Sequence, residues 1–574
     1  MKNFFSKFIY LAAINLLLFI RIPNSTNSIT TTYTVTNTFD SGAGSLRQAI
    51  INANNHPGED HISFNIPKTD LGYSSSLNGW VIQPGTALSP LSDANTIIDG
   101  ATQTANQGDT NPLGPEITID GSFLGTLDPI FDIRSNTNQI LGLAITKADG
   151  SGVRLYGNIT GNIIKDNYIG IAADTSSGSW GNWDGVSLEN GANANIIAHN
   201  VISGNDANGI NIMNAGTDSN MIRRNTIGLD PTGTTAIPNL GNGILLNSAT
   251  KWNTIGGEEE YRNIISSNTF HGVQIDGSDY NTISNNFIGL DVSGTQDLGN
   301  KNSGIYAGNG AWNNLIQNNI ISGNTDHGVY LTGTGTAYNY IRRNIIGLDF
   351  QQKNIIPNGK HGVGIYNGAM RNEVGHVTIP DSTNYIFGNG WSGVVVVNVG
   401  SDNNIIAYNH IFENDYYGVA IVDAGGNTIY RNTIWHNGNT SGAGVFVDGS
   451  TAVNNRIQQN SIYDSFGLGI ELTNGGNTQL SAPTIHQADC EYIAGIACAG
   501  CTVEIFSSDD DEGKLFEYTL TANSVSGDFE WGGWLNGPFV TVTADSGNNT
   551  SQFSAPFSIG GCTRIFMPLV IASP

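Results

Sequence analysis

The chain has 574 residues, 73 of them glycine, with 12% charged side chains and a net charge of −25 from 23 basic and 48 acidic groups. An average protein holds roughly 7% glycine and roughly 25% charged residues. The acidic balance excludes a nucleic-acid-binding surface, which must be basic to meet phosphate. The 39% hydrophobic fraction is too high for a disordered chain, and low charge with abundant Gly and Asn points to an all-β protein of short strands and turns.

At the N-terminus, Lys2 and Lys7 precede an apolar run from Phe8 to Ile20, followed by the polar stretch Pro23–Ser28. This run is shorter than the about 20 residues a membrane-crossing helix needs and suits a secretory signal. Residues 1–28 therefore read as a signal peptide, with an uncleaved anchor as the alternative. The expected location is extracellular or at the cell surface, with no membrane span after signal removal. Residues 29–150 read as an N-terminal cap and first coils. Within them Ser45-Leu46-Arg47-Gln48 is a capping box, and Leu46, Ala49, Ile50 and Ala53 follow at helical spacing, which predicts one cap helix.

Residues 151–478 are repetitive. The pattern Asn-x-Ile-x-x-Asn-x-Ile occurs at Asn162–Ile169, Asn195–Ile202, Asn220–Ile227, Asn281–Ile288, Asn314–Ile321, Asn339–Ile346, Asn404–Ile411, Asn427–Ile434 and Asn455–Ile462, with looser copies at Asn263–Phe270 and Asn384–Trp391. It alternates with Gly-Val/Ile-x-apolar segments starting at twelve glycines from Gly152 to Gly469. Gly152 to Gly272 spans 120 residues and Gly272 to Gly393 spans 121, with long and short turns in the same order, so a four-turn unit is present twice. Three of the long turns open with Ile-Gly-Leu-Asp, at Ile227–Asp230, Ile288–Asp291 and Ile346–Asp349. Period-2 alternation puts Ile and Val on one side of each short strand. Three such strands per turn make one coil of a parallel β-helix, whose stacking buries the Ile rows. Asn at matching bends can form a hydrogen-bonded ladder and tolerates left-handed backbone. Twelve coils at ~4.8 Å each predict a rod on the order of 55 Å long.

From residue 479 the pattern changes to longer alternating strands, Cys501–Phe506, Phe516–Leu520, Asp528–Trp531 and Val540–Thr543, which suggests a small β-sandwich over 479–560 with a tail at 561–574. Cys490, Cys498, Cys501 and Cys562 all lie here. An even number in an exported chain favours disulfides of undetermined pairing, with a zinc site as the alternative. Asp509, Asp510 and Asp511, followed by Glu512, read as a solvated hairpin tip, with calcium binding as the alternative.

These features carry a resemblance. The repeat over 150–475 resembles the right-handed parallel β-helix of the pectate-lyase-like superfamily. The segment Asp40–Ile50 is similar to the N-terminal motif of CSLREA-type bacterial surface proteins, with Gly44 where that motif has Cys and Gln48 where it has Glu. Ile97–Gln103 and Ile119–Ser122 also look like that family's first coils. The C-terminal sandwich resembles the Ig-like domains that follow β-helices in exported bacterial proteins. The resemblance implies architecture more than activity, because the fold hosts lyases, hydrolases, epimerases, adhesins and scaffolds.

Candidate chemistry is sparse. Polygalacturonase-like hydrolases carry Asn-Thr-Asp, Asp-Asp, Gly-His-Gly and Arg-Ile-Lys in successive coils. Asn324-Thr325-Asp326 matches the first, but Asp-Asp occurs only at 509–511 and Arg-Ile-Lys is absent. The Asp-Pro-His signature of mannuronan epimerases is also absent. Asp174, Asp230, Asp291 and Asp349 fall in every second coil, too far apart to share one ion, and Asp230–Gly233 and Asp291–Gly294 suit type I turns with Asp first and Gly fourth. Arg223-Arg224 and Arg342-Arg343 read as surface residues pairing with acids, with bidentate binding of a uronate carboxylate as the alternative. The strongest patch is aromatic. Tyr306 and Tyr330 occupy the same outward position in adjacent coils, Gln274 precedes them in the column, and Tyr366 lies two positions beyond Gly364. His271, His327 and His361 stand immediately before the glycines of their coils. Rings beside amide and imidazole groups suit a sugar's apolar face and its hydroxyls. The expectation is an exported, non-catalytic rod that binds a polysaccharide or cell-surface glycan and needs no cofactor. The alternative is a lyase or glycoside hydrolase acting on an acidic glycan through Asp326, His327 and His361, with calcium as a possible ion.

Overall fold

A computed structural model describes residues 30–174, 180–378, 382–439, 441–560 and 562. The expected signal segment and the apolar end of the tail lie outside them. Three sheets run along one rod. Sheet I has 15 strands from Thr31–Val35 to Arg456–Gln458, sheet II has 13 from Phe131–Ile133 to Ile470–Thr473, and sheet III has 15 from Tyr73–Ser74 to Ser461–Tyr463. Each strand pairs in parallel with its counterparts one coil away, as in Ile163↔Ile196 of sheet I and Tyr306↔Tyr330 of sheet II; at the start of sheet III, Tyr73–Ser74 pairs antiparallel with Gly79–Ile82. The rod is longer than the twelve predicted coils. Sheets I and III take their first strands from residues 31–146, where the Gly-Val signature is missing but short apolar strands persist.

The repeat explains itself in the packing. Ile164, Ile169, Ile197, Ile202, Ile222 and Ile227 are fully buried in one continuous core, while their strand neighbours face outward. Three asparagine ladders, not two, close the bends. Asn162, Asn195, Asn220, Asn253 and Asn281 belong to the first, and Asn167, Asn200, Asn225, Asn263 and Asn286 to the second. Asn205, Asn239, Asn268, Asn300 and Asn324 belong to a third at the far end of sheet III. Most rungs share one geometry, as where Asn195 donates its backbone N–H and its Nδ2 to Oδ1 of Asn220 at 2.9 and 3.1 Å; at Asn239 the Nδ2 bond to Asn268 makes the rung. The looser copies at Asn263 and Asn384 are therefore shifted by one strand, since both sit in the second ladder. The left-handed residue is also not the ladder Asn but the one before it, as at Ala194 (φ 51°) and Ser219 (φ 58°).

The Ile-Gly-Leu-Asp insertions form small loops pinned back by antiparallel bridges Leu229↔Ala236, Leu290↔Asp297 and Leu348↔Ile355. Gly289 is required there: at φ 93° an added Cβ would lie 2.1 Å from the Ser322 carbonyl oxygen of the next coil. Leu229, Leu290 and Ile356 pack with Ile264, Phe287 and Ile320 into a second apolar cluster outside sheet III. The turn reading holds for Asp230, Asp291 and Asp349, whose carbonyls accept the Gly233, Gly294 and Gln352 N–H groups; the turn after Asp174 lies outside the described residues. Burial opposes ionisation of Asp230, but hydrogen bonds from the Thr232 hydroxyl and the backbone N–H groups of Thr235 and Thr234 outweigh it and hold the carboxyl below its usual range.

Helix α1, Leu46–Asn54, starts at Ser45, whose Oγ accepts the Gln48 N–H at 3.2 Å, and buries Leu46, Ala49, Ile50 and Ala53 in the rod's core. A second helix, α2 (Ala101–Gln107), falls where only a coil was expected. It has no apolar face to announce it. Its anchor is polar, because buried Gln103 pairs with both the N–H and the carbonyl of Ile66.

At the other end the chain forms a three-stranded sheet and a four-stranded sheet around Ile493, Val503, Ile505, Phe529, Val540 and Val542. Disulfides join Cys490 to Cys562 and Cys498 to Cys501, which replaces the zinc alternative. The acidic hairpin is not simply a solvated tip. Glu512 is 2% exposed and accepts the Ser465 N–H of the last coil at 3.0 Å, and buried Glu504 accepts the Gln459 N–H at 2.9 Å. These carboxylates, with Thr550 Oγ1 receiving the Ile457 N–H, take the place of a further coil and cover the open end of the helix.

Candidate functional site

The outward row of sheet II places Gln274, Tyr306 and Tyr330 in register, followed by Gly364, Val395, Ala420 and Phe446. This is the column expected from the sequence. The Tyr306 and Tyr330 rings lie 5.6 Å apart, edge to face. Tyr366 is one pleat over, paired with Thr332, yet its ring reaches 5.2 Å from that of Tyr330. Gly364 makes this possible, because a Cβ there would come within 2.7 Å of the Tyr366 ring and 3.2 Å of His327 Nδ1.

The histidines line the bend leading into sheet II. His271 stacks on Tyr306 at 4.8 Å, His327 on Tyr330 at 4.7 Å, and His327 on His361 at 5.4 Å. Upstream coils hold Asp184, Asn208 and Asn242 in the same column, each accepting the N–H of the corresponding residue one coil on. His271 and His361 continue that function by accepting the N–H groups of Ser303 and Ser392 on Nδ1. Such bonds fix the neutral tautomer with Nε2–H as the remaining donor. Burial pulls His271 and His327 down to about 4, and burial with the neighbouring His327 pulls His361 down to about 3. All three rings are therefore neutral at pH 7. His327 differs from the others: its Nδ1 is buried without a hydrogen-bond partner among the described residues, and its Nε2 lies 3.9 Å from Asp326 Oδ2.

Several residues of this face escaped the sequence reading. Lys360 Nζ lies 2.5 Å from Asp326 Oδ1 and over the Trp391 ring at 5.6 Å. His361, Trp391, Ser392, Tyr416 and Tyr417 line a cleft of about 280 Å³, with Trp391 43% and Tyr416 50% exposed. Trp391 stands two residues before Gly393 and Tyr417 one before Gly418, so alignment of the columns was the signal that would have found them. The remaining candidates do not join this face. Asn324 is a rung of the third ladder. Asp509 pairs with Lys514, and Asp510 accepts from Ser508 and the Glu512 N–H. Among the described residues no group of three or more His, Cys, Asp or Glu side chains is arranged to hold a metal ion. Arg224 pairs with Glu260 and Arg342 with Glu373, while Arg223 lies over the Tyr261 ring.

The face combines tyrosine rings, neutral imidazoles and an amide, with one Asp–Lys pair at its centre. It can stack and hydrogen-bond an uncharged polyhydroxylated surface. Two-carboxylate hydrolysis asks more, a second acid ~5–9.5 Å from the first, and here Asp326 is engaged by Lys360.

Residues 347–487 match the family model described as right handed beta helix region. With the three sheets, this makes the chain a parallel β-helix repeat protein. No curated protein matches the chain. Similar solved structures include the A-module of a mannuronan C-5 epimerase from Azotobacter vinelandii, at 13% identity and TM-score 0.37, covering 77% of this chain and 97% of that one. The Dettilon tailspike protein aligns at 13% identity and TM-score 0.40 over 92% of each chain. An alginate lyase from Paenibacillus sp. aligns at 14% identity and TM-score 0.28, covering 71% of this chain and 99% of that one. Among the described residues no helix is long and apolar enough to cross a membrane.

Proposed function

We propose that the protein is an exported, non-catalytic rod that binds a glycan on the sheet II face. The observation that carries this reading is the continuous run Gln274, Tyr306, Tyr330 and Tyr366 with three neutral histidines beside it, leading into the Trp391–Tyr416 cleft. Aromatic rings give sugar C–H faces a partner, and Nε2–H groups, the Gln274 amide and tyrosyl hydroxyls meet hydroxyls. Lys360 and Asp326 satisfy each other and leave the face without net charge. The reading predicts no release of unsaturated uronate or reducing sugar when the purified protein is incubated with acidic and neutral polysaccharides.

One observation favours a second reading, a lyase or hydrolase on the same face. The unpartnered Nδ1 of His327, with Asp326 at its other nitrogen, has the arrangement of an oriented base. Turnover on any of those polysaccharides, abolished by His327→Ala and retained by Tyr306→Ala, establishes that reading and removes the first.

A further inference from the structure

A second row of aromatic side chains lies around the corner, on the bend leading out of sheet II. Trp252, Tyr280, Trp312 and Tyr338 come from four successive coils, with ring centroids 5.9, 5.1 and 5.8 Å apart. Trp252 is 57% and Tyr338 36% exposed. Trp252, Tyr280 and Tyr338 each precede a ladder asparagine and take left-handed backbone, φ 54°, 55° and 56°. The same position holds Gly161, Ala194 and Ser219 upstream and Asn403, Gly426 and Asn454 downstream, all left-handed. Thr137 and Arg371 take the same left-handed position with larger side chains (φ 61° and 54°). What sets this stretch apart is a consecutive run of rings, three of them adding backbone strain without being fully buried in return. Such an outlier motivates a ligand hypothesis.

Further along the same bend the character changes from aromatic to polar. Arg371 donates to the Tyr338 hydroxyl at 3.2 Å and its N–H bonds Asp402 of the next coil. Beyond it Asp402, Asn403, Asp423, Thr451 and Asn454 line a cleft of about 330 Å³. Asp402 Oδ1 accepts the Gly425 N–H at 2.9 Å, and Asp423 Oδ1 accepts the Thr451 hydroxyl at 3.1 Å. The second oxygen of each carboxylate has no hydrogen-bond partner among the described residues.

We infer that this bend is a second binding track, for a neutral polysaccharide chain lying along the rod axis from Trp252 to the Asp402–Asp423 cleft. The advance per coil, about 4.8 Å, is close to the length of one pyranose unit, so successive sugars meet successive rings. Two carboxylates at the end of the track accept hydroxyl hydrogens and repel uronates or sulfates. A protein partner fits poorly, because Lys251 paired with Asp279, and Arg371, interrupt the rings, leaving none of the dry apolar centre that a protein interface has. The track is separate from the sheet II face, and each can fail alone.

The test uses the full chain in affinity electrophoresis through gels holding galactomannan, glucomannan or polygalacturonate. The wild type is retarded by a neutral polymer. Trp252→Ala with Trp312→Ala weakens that retardation at least tenfold, in a protein that folds because Ala194 already occupies the Trp252 column. The same tryptophan changes weaken it by the same factor in a Tyr306→Ala/Tyr330→Ala background, because the two tracks act independently, and Asp402→Asn with Asp423→Asn admits polygalacturonate. The inference is overturned if neither neutral polymer retards the wild type, if the tryptophan variant migrates like it, or if the tyrosine variant alone loses the neutral ligand.

Discussion

Sheet II is built twice on one frame, and its two halves differ only on the outside. In the upstream coils the outward row reads Asp132, Arg154, Ser187, Asn211, with an Arg154–Asp132 ion pair at 3.0 Å. In the downstream coils it reads Gln274, Tyr306, Tyr330. Beneath both, the inward residues are alike: Val153, Leu155, Val186 and Leu188 in one half, Ile305, Ala307, Val329 and Leu331 in the other, all fully buried. The leading bend differs in the same way, with Asp184, Asn208 and Asn242 giving way to His271, His327 and His361, while the backbone N–H they accept stays in place for all but His327. The coil is thus held from inside by Ile rows and Asn rungs, and the outer face is free to vary. The inward packing does not call for a run of tyrosines on that face, which is why we propose that they serve a ligand.

Four measurements break or sharpen this contrast. The largest effect belongs to the interior: Ile341→Ala removes a fully buried side chain and should cost about 2–5 kcal/mol in denaturant unfolding. Next comes a rung. Asn319→Ala strips the acceptor from the Asn286 N–H and one of the acceptors of its Nδ2, a loss of about 2 kcal/mol, chiefly from the buried N–H left unpaired. Third is the junction with the two C-terminal sheets. Burial raises Glu504 and Glu512 to about 7, above their ordinary value of 4.5, so folding favours their protonated forms. The stability they contribute is full below about pH 4.5 and is lost as pH rises through about 7, of order 2 kcal/mol per group. Glu504→Gln should flatten that slope between pH 5 and 8 in thermal unfolding; an unchanged slope would remove Glu504 from the junction. The smallest effect is on the face itself: Tyr330→Ala should cost under about 1 kcal/mol, and a loss as large as that of Ile341→Ala would mean the ladder is structural.

The histidines add an acid limit with the opposite sign. Their folded values, about 4 for His271 and His327 and about 3 for His361, lie below the ordinary 6.5. Stability from the neutral rings is therefore present above about pH 6.5 and lost as pH falls through 4. Imidazole proton shifts followed by NMR should move only below pH 5; movement near 6.5 would place the rings in solvent.

Much of this was legible in the chain because a period of one coil makes packing visible as spacing. The Asn-x-Ile pattern located sheets I and III, and the glycine column located sheet II and the stack Gln274, Tyr306, Tyr330. What escaped depends on contacts between coils of unequal length. Asn263 and Asn384 looked like displaced first rungs because insertions upstream of them shift the count, and the third ladder through Asn205 and Asn239 was hidden by those same insertions. Helix α2 is fixed by a single buried glutamine, a tertiary contact with no local signature. Lys360, Trp391 and Tyr416 enter the site only when the bends of neighbouring coils are laid side by side. Glu512 read as part of a solvated hairpin tip, and Glu504 as one position of an alternating strand, because neither shows in the sequence that the last coil lies against it.

The central claim, a binding face whose aromatic rings serve a ligand and not the fold, is tested most directly by Tyr306→Ala with Tyr330→Ala. Thermal unfolding and retention on a panel of immobilised polysaccharides should be recorded together on the same preparation. The account predicts an unchanged melting transition and loss of retention on the glycan that the sheet II face holds. Undiminished retention on every glycan that holds the wild type, or collapse of the fold, would contradict it.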